Sequence, residues 1–144
     1  MVRPGLNKFL TELSNHYEIV IYTAGLQDYA DWIINQIDRK KRINHRLYRQ
    51  HTQREEHYAV KDLRLIGRDL AKTIIVDNIK ENYMYTTPDN GLEITSWYDD
   101  LDDNELDKYQ MFLKEIATQK EQDVRVVISQ YRHKMDEYVW SRNT

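Results

Sequence analysis

The hexapeptide TIIVDN, residues 73–78, decides the fold of this 144-residue chain. Its first four residues are β-branched, which is typical of a buried strand. Its last two, Asp77 and Asn78, are side chains that rarely lie in a core. Residues 18–25, EIVIYTAG, have the same character and place Thr23 where their strand ends. Ligands bind beyond the carboxyl ends of strands in α/β sheets, so both strand ends are candidate sites.

Helical patterns alternate with these strands. Apolar residues spaced three and four positions apart predict two amphipathic helices in the first forty residues. Their apolar faces consist of Leu6, Phe9, Leu10 and Leu13, and of Tyr29, Ile33 and Ile37. Further strands are predicted near Leu47 and at residues 92–97. The last third is helical: Asp102 and Glu105 resemble a capping box, and another helix spans residues 122–140. This alternation predicts an α/β fold with a mainly parallel sheet flanked by helices.

Composition excludes several classes of function. The 21 basic and 24 acidic side chains give a formal charge of −3, and no basic block favours nucleic acid as a partner. The absence of cysteine excludes disulfides, thiolate zinc sites and a thiol nucleophile. No apolar run approaches the roughly 20 residues that a membrane-spanning helix needs, and the first residues lack the pattern of a secretory signal.

The residues themselves leave the chemistry of the strand ends open. Asp77 suits a Mg²⁺ ligand, because this ion prefers oxygen, and it equally suits the cap of a following helix. Thr23 is placed to hold a phosphate through its hydroxyl, or is an ordinary corner residue. Lys61, in a polar loop, either neutralises a phosphate or is simply solvated. The five histidines show no metal-binding spacing.

Five segments together resemble one family. In order, they read RPGLNKFLTELSNHYEIVIYTAGLQDYAD, LYRQHT, VKDLRLIGRDL, IIVDN and PDNGLEITSWYDD. They are similar to the FCP/SCP-like phosphatase domain, named for the RNA polymerase II C-terminal-domain phosphatases and found also in NLI-interacting-factor-like and Dullard-type proteins. This domain belongs to the haloacid-dehalogenase (HAD) superfamily. The resemblance covers roughly residues 2–125 and implies a HAD-like Rossmannoid fold. It predicts an incomplete domain over residues 1–120 and a C-terminal helical extension over residues 121–144.

The resemblance also implies roles for four residues. Thr23 matches the hydroxyl that hydrogen-bonds the transferring phosphoryl group, and Lys61 matches the lysine that offsets the charge of the phosphate and the nucleophile. Asp77 matches the acid that helps to hold Mg²⁺, and Asn78 the neighbouring amide of the metal site. Phosphoryl transfer depends on positioning and charge neutralisation, so these types are expected to converge. The implied cofactor is Mg²⁺, or none if the site is degenerate.

One segment of the family pattern does not occur in these 144 residues. Active members carry DxDx(T/V) on the first strand, some tens of residues before the position of Arg3. Its first Asp becomes the phosphoaspartate and its second is the general acid/base. The D-x-D pattern formed by Asp100 and Asp102 follows no predicted buried strand and lies in a different block of the family pattern. We therefore predict that these residues provide no catalytic nucleophile and no phosphatase turnover.

In HAD folds the absent strand lies in the middle of the sheet, between the strands that here hold residues 18–25 and 73–78. Without it, each of these strands exposes an unpaired edge that favours pairing with another chain. Three explanations are open: the sequence is a fragment, another polypeptide supplies the strand, or the chain is a non-catalytic structural subunit. The family's mitochondrial import receptor, which acts by binding, is a precedent for the third.

The resemblance implies two kinds of partner. One is a phosphoprotein substrate, and the other is a protein complex that covers the exposed sheet edges. Members of the family work in the nucleus, at the nuclear envelope and in mitochondria, and the sequence does not favour one of these compartments.

Overall fold

The computed structural model describes residues 1–119 and 122–143. Within these ranges the chain forms five α-helices and six short β-strands. In chain order they are α1 (Leu6–Leu13), β1 (Val20–Tyr22), α2 (Gln27–Ile37), β2 (His45–Leu47), β3 (Gln53–Arg54), β4 (Ala59–Val60), β5 (Ile75–Asp77), α3 (Glu81–Met84), β6 (Gly91–Glu93), α4 (Glu105–Thr118) and α5 (Val124–Asn143). None of the described helices is both long and apolar enough to cross a membrane.

The strands form three separate pairs. β1 lies parallel to β2, with Val20 opposite His45, and β5 lies parallel to β6, with Ile75 opposite Gly91. β3 and β4 form a small antiparallel hairpin. Helices connect the two strands of each parallel pair, since α2 joins β1 to β2 and α3 joins β5 to β6. The predicted α/β class with mainly parallel strands is confirmed.

The largest core cluster packs α1, α4 and α5 against β6 and the strands beside it. It contains the buried side chains Leu13, Leu92, Leu113, Ile116, Val124 and Ile128. Tyr17, just before β1, joins this cluster and donates a hydrogen bond from its hydroxyl to the Leu113 carbonyl at 2.5 Å. Burial raises the pKa of Tyr17 to about 12, so this hydroxyl keeps its proton. These contacts fix the helical layer over β5 and β6.

The apolar face predicted for α2 is wrong at Tyr29, while its other two members, Ile33 and Ile37, are half-buried. Tyr29 is 64% exposed, whereas Ala30 and Ile34 are buried and form a cluster with Tyr48. Tyr48 also donates a hydrogen bond from its hydroxyl to Asp31 at 2.5 Å. The burial of Tyr48 beside β2 therefore sets which face of α2 turns inward, and helical spacing alone did not contain that information.

The predicted capping box at the start of α4 is also wrong. The helix begins at Glu105 after Asn104, whose side chain makes no capping hydrogen bond. Asp102 is exposed, and its backbone N–H bonds to the carboxylate of Asp100. Asp103 is instead held by Arg3 at 2.7 Å, and the hydrogen bond from this guanidinium holds the pKa of the carboxyl below its usual range. The acid just before α4, Asp103, therefore pairs with Arg3 and does not form a capping box.

The C-terminal helix α5 begins within the core. Val124 and Ile128 are 5% and 0% exposed. Arg132 donates hydrogen bonds to the backbone carbonyls of Pro88 and Gly91, at the start of β6. The predicted boundary between a domain and a helical extension, at residues 120 and 121, lies outside the described residues and stays a prediction.

Candidate functional site

A buried ion pair lies at the carboxyl end of β5. The ammonium of Lys61 is 2.7 Å from Oδ2 of Asp77, and the two residues are 8% and 6% exposed. Ionised side chains are rarely buried unless they are paired, because leaving water is costly for each charge. The two residues predicted from sequence to serve a phosphate and a metal therefore lie in direct contact.

The backbone after β5 turns around the Asp77 carboxylate. Oδ1 of Asp77 accepts a hydrogen bond from the N–H of Ile79 at 2.9 Å, which closes the turn that leads into α3. Oδ2 accepts hydrogen bonds from Lys61 and from the amide of Asn82. Asp77 thus combines both readings left open by the sequence: it stabilises the turn before a helix and presents a carboxylate at a strand end.

Asn82 is a positioning residue that sequence reasoning missed. It is 2% exposed, and its Nδ2 donates to Asp77 at 3.2 Å. Its Oδ1 accepts from the N–H of Ala59, and its backbone carbonyl accepts from the N–H of Lys61 at 2.8 Å. One side chain on α3 therefore fixes both β4 and the carboxylate. The only signal in the sequence is an asparagine five residues after Asp77, which is weak because Asn is common in turns.

Asn78 lies next to Asp77 but outside the buried pair. Its side chain is exposed and donates a hydrogen bond from Nδ2 to the hydroxyl of Ser96 at 3.0 Å. The neighbouring Thr95 is held by Arg3, whose guanidinium donates to the Thr95 carbonyl at 2.6 Å and to its hydroxyl at 3.1 Å. The bond to Ser96 uses the amide nitrogen of Asn78 and leaves its amide oxygen out of that contact. Ser96 and Arg3 are further supporting residues that sequence reasoning did not assign.

Thr23 occupies the carboxyl end of β1, in the other parallel pair. Its hydroxyl oxygen accepts a hydrogen bond from the N–H of Gly25 at 2.9 Å, and its own N–H bonds to the carbonyl of Leu47. Arg49 clamps the same loop through the carbonyl of Ala24 at 2.7 Å. The hydroxyl of Thr23 keeps its proton available for donation, because in this loop it acts as an acceptor.

The structure brings two of the four predicted residues, Lys61 and Asp77, into direct contact. Asn78 is next to Asp77 in the chain, but its side chain bonds to Ser96, and Thr23 lies in the other parallel pair. No hydrogen bond links Thr23 to Lys61, Asp77 or Asn78. The loop after Lys61 nevertheless approaches β1, because Leu63 and Tyr22 line the same cavity. Burial, and then the charge of Asp62, raise the pKa of Tyr22. Asp62 directly follows Lys61, so the lysine loop lies close to the end of β1.

The chemistry of the residues after β5 fits part of a Mg²⁺ site. Mg²⁺ keeps several waters and is usually bound through one or two carboxylates together with substrate phosphates. Oδ1 of Asp77 accepts a hydrogen bond from one backbone N–H and keeps a lone pair, and Asn78 adds an amide oxygen. Among the side chains that the structure describes, in residues 1–119 and 122–134, there is no cluster of three or more carboxylate, imidazole or thiol groups. Asp77 and Asn78 therefore fit two ligand positions, with the others left to water and phosphate.

Two further acidic groups, Asp62 and Asp100, make local contacts outside the Lys61–Asp77 pair. Asp62 accepts hydrogen bonds from the Arg64 guanidinium at both carboxylate oxygens, at 2.9 and 2.8 Å. The hydrogen bond from Arg64 lowers the pKa of Asp62, even though desolvation opposes it. Asp100, of the D-x-D pattern, is exposed in the loop between β6 and α4. Both groups are structural: Asp62 caps a short 3₁₀ turn, and Asp100 closes a loop.

Comparison with known proteins gives the same family over most of the chain. Residues 1–125 match the family described as NLI interacting factor-like phosphatase. A probable C-terminal domain small phosphatase of Dictyostelium discoideum is 39% identical over 131 residues, which are 91% of this chain and 42% of the relative. TIM50, a mitochondrial import inner membrane translocase subunit of Candida albicans, is 35% identical over 92% of this chain and 28% of its own length. The chain thus spans less than half the length of these curated relatives.

A solved structure has the same fold. The structure of Fcp1, an essential RNA polymerase II CTD phosphatase, superposes with a TM-score of 0.80 and covers 93% of this chain and 55% of the Fcp1 chain. Its sequence identity of 19% supports the fold alone. The match over residues 1–125 includes Thr23, Lys61, Asp77 and Asn78. This chain therefore belongs to the NLI interacting factor-like phosphatase family and has its HAD-like α/β fold.

Proposed function

We propose that this chain provides the phosphate- and metal-binding residues of a Mg²⁺-dependent phosphoprotein phosphatase site and, as a 144-residue protein, does not turn over substrate. The observation that carries the proposal is the buried Lys61–Asp77 pair at the carboxyl end of β5, 2.7 Å from nitrogen to oxygen. A buried ion pair is weak support for stability, because desolvation offsets much of its attraction. Its place at a strand end, in a family of phosphatases, favours a role in binding.

The proposed division of labour follows from the chemistry of each group. Lys61 compensates the negative charge of a phosphoryl group, and the hydroxyl of Thr23 donates to one of its oxygens. Asp77 and Asn78 offer oxygen ligands to Mg²⁺, which when bound supplies further positive charge to the phosphate oxygens. Asn82 keeps the Asp77 carboxylate oriented. Each of these groups binds and orients, and none of them forms a covalent bond with phosphorus.

Turnover needs a further group that these residues do not contain. A covalent phosphatase mechanism requires a carboxylate positioned to attack phosphorus and a second group that moves the leaving group's proton. The sequence has no D-x-D pattern at the end of a buried strand, and Asp62 is occupied by Arg64. Without an attacking group, the phosphate- and metal-binding residues are expected to bind a phosphate ester and not to cleave it.

The 144-residue protein is expected to show no hydrolysis of p-nitrophenyl phosphate in the presence of Mg²⁺. The rate is measured against the Asp77→Asn variant, after intact mass has confirmed the 17.5 kDa chain. We expect the two proteins to give the same background. A Mg²⁺-dependent rate above that background, lost in Asp77→Asn, would show that a nucleophile exists within these residues and would overturn the inactivity part of the proposal.

A second candidate function is that of a non-catalytic assembly subunit. The similarity to TIM50 over 92% of the chain favours it, because that relative is named as a subunit of a translocase. Under this reading Thr23, Lys61 and Asp77 stabilise the fold, and the partner is a protein complex, for example a mitochondrial one. The two candidates differ in a measurable way: the first predicts that phosphate and Mg²⁺ bind at the strand ends, and the second predicts that they do not.

A further inference from the structure

A polar pocket of about 510 Å³ lies between the end of α2 and the start of β2. Thr23 follows the carboxyl end of β1, so the pocket lies at the other end of the parallel pair of β1 and β2. Its volume falls within the range of small-molecule sites, roughly 300–1,000 Å³. The pocket is lined by Asn35, Asp38, Arg39, Lys41, Ile43 and Arg46. We call it the basic pocket.

Positive charge is concentrated around the basic pocket. The chain has a formal charge of −3, yet residues 39–49 contain six Arg and Lys side chains and no Asp or Glu. Arg39, Lys40 and Lys41 are exposed, and none of them pairs with a carboxylate among the side chains that the structure describes. Neighbouring charges of one sign repel each other and attract ions of the opposite sign. Three cations beside one pocket are therefore left to attract an anion from solution.

Arg42 shows what a single cation of this loop does for the fold. Its guanidinium bonds to Oδ1 of Asp38 at 3.1 Å, to the carbonyl of Asn7 at 2.8 Å and to the hydroxyl of Thr11 at 2.6 Å. It also reaches the carbonyl of Ile37 in the last turn of α2, where a cation offsets the helix dipole. Arg42 thus supplies the positive charge that this helix end needs, and the three cations before it serve no such purpose.

The acid in the wall of the pocket already has its partners. Asp38 is 6% exposed, and its two carboxylate oxygens accept hydrogen bonds from the backbone N–H groups of Arg42 and Ile43 as well as from the Arg42 guanidinium. Burial opposes ionisation of Asp38, but these hydrogen bonds outweigh it and hold the pKa of the carboxyl below its usual range. The charge of Asp38 is therefore compensated within the fold and does not neutralise Arg39 or Lys41.

Arg46 provides a fixed cation on the β2 side of the pocket. Its guanidinium donates to Asp31 at 2.9 Å and to Asn35 at 2.8 Å. A guanidinium carries five N–H donors, so these two bonds fix its orientation and leave further donors for a ligand. A side chain that is already held in place loses less conformational freedom when a ligand binds.

Lys41 has a strained backbone conformation at the pocket. Its φ is +55°, and it is the one non-glycine residue with a positive φ in the part of the chain that the structure describes. Glycine and asparagine adopt this left-handed conformation more readily than a lysine does. Residues held in such conformations occur often at ligand-binding sites. A lysine at this position therefore favours a role for its side chain.

We propose that the basic pocket binds a small ligand that carries two phosphate groups. Two such groups carry a charge of about −3 to −4 at pH 7, which matches the three unpaired cations. The lining contains one apolar side chain, Ile43, and no aromatic ring, so the ligand is recognised by its charge and not by stacking. Arg39 and Lys41 contact the phosphate groups, and Lys40 adds positive charge from outside the lining. This site shares no residue with the proposed phosphatase site.

Inorganic pyrophosphate is the probe for this site. The ¹⁵N-labelled 144-residue protein is titrated with it in the presence of EDTA, which removes divalent cations, and amide chemical shifts are followed. We expect saturable shifts at residues 38–46, because the ligand lies against this loop. The titration is repeated with Thr23→Val, which removes the hydroxyl proposed to bind phosphate at the other site. The shifts at residues 38–46 are expected to saturate there at the same pyrophosphate concentration.

A double variant tests the two cations of the lining. Arg39→Gln/Lys41→Gln is expected to bind pyrophosphate roughly tenfold more weakly or worse, because two charge-assisted contacts are lost. The control Lys72→Gln/Lys134→Gln removes two exposed cations outside the pocket and is expected to bind within about twofold of the wild type. Lys41→Asn is the second variant: asparagine accepts the left-handed backbone, so it removes the cation without adding strain, and we expect weaker binding.

A second probe identifies the source of the phosphate groups. Phosphatidylcholine vesicles that contain phosphatidylinositol bisphosphate present the same chemistry on a lipid headgroup. Vesicle binding that pyrophosphate displaces and that the double variant loses would support the pocket and make a headgroup its ligand. Pyrophosphate binding without vesicle binding would support the pocket and make a soluble molecule its ligand.

Three outcomes would overturn the proposal. Shifts confined to residues 23–25 and 77–79 would mean that the anion binds only at the strand ends. Equal losses of affinity in the double variant and its control would indicate attraction by net charge without a site. Binding of wild-type strength in Lys41→Asn would contradict the contact between Lys41 and the ligand. A failure of phosphate binding at the strand ends, by contrast, leaves the basic-pocket proposal intact.

Discussion

Replacing Lys61 by methionine is expected to lower the free energy of unfolding by about 3–5 kcal/mol, because it leaves the buried carboxylate of Asp77 without its counter-ion. Asp77 is 6% exposed, and its remaining donors are the backbone N–H of Ile79 and the amide of Asn82. Methionine is similar in length to the lysine stem, so the loss reports the charge rather than the packing. Urea denaturation of the wild-type and variant proteins measures it.

Two controls test whether the loss of stability comes from burying the Asp77 charge without a counter-ion, rather than from removing any lysine charge. Lys108 lies 3.6 Å from Glu105 with a side chain that is 64% exposed, so Lys108→Met is expected to change stability by less than about 1 kcal/mol. The double variant Lys61→Met/Asp77→Asn is expected to recover part of the loss, because no unpaired charge remains. A loss below about 1 kcal/mol in Lys61→Met would mean that Asp77 is not desolvated as the structure indicates.

Replacing Gly91 by alanine is expected to destabilise the protein by about 3 kcal/mol or more, near the upper end of overpacking effects. A Cβ atom at this position would lie 2.0 Å from Cε2 of Tyr83, a side chain that is 1% exposed. Gly91 has an extended backbone with φ of −109°, so the requirement for glycine is steric. Thermal and urea unfolding of the variant measure the effect.

Gly67 provides the matched control for Gly91. Its φ is +73°, and a Cβ there would meet nothing within 4 Å. Gly67→Ala therefore tests backbone conformation alone and is expected to cost roughly 1–2 kcal/mol. In the Gly91→Ala background, Tyr83→Leu should cost less than it does alone, since the smaller side chain relieves the clash. Equal effects of Gly91→Ala and Gly67→Ala would contradict the assigned contact.

The sequence predicted those parts of the fold that local patterns determine. The strands within residues 18–25 and 73–78 form β1 and β5, because continuous β-branched residues specify buried strands. The strand predicted at residues 92–97 is shorter than expected and ends at Glu93. Beyond it, Ile94 still bonds to Asp77, but Thr95 belongs to the loop held by Arg3. The end of β6 therefore depends on contacts between residues 92 positions apart in the chain, which a local sequence pattern cannot predict.

The site was predictable as a set of residue types and not as an arrangement. Asp77 and Asn78 were found from their place after a β-branched run. Lys61 was a candidate from its polar loop, with ordinary solvation as the alternative, and the family resemblance gave it a role. Asn82 holds β4 against α3, and this packing buries Lys61 and pairs it directly with Asp77. A polar loop in the sequence gave no sign of this burial. The buried amide of Asn82 was missed because an isolated Asn in a turn carries no distinctive pattern.

The central claim is that the ends of β1 and β5 bind phosphate together with Mg²⁺. The most direct measurement is a titration of ¹⁵N-labelled protein with inorganic phosphate, with and without Mg²⁺, followed by amide chemical shifts. We predict saturable shifts at residues 23–25 and 77–79, with tighter binding in the presence of Mg²⁺ and weaker binding in Thr23→Val. An absence of shifts at both strand ends, or shifts confined to other parts of the chain, would contradict the account.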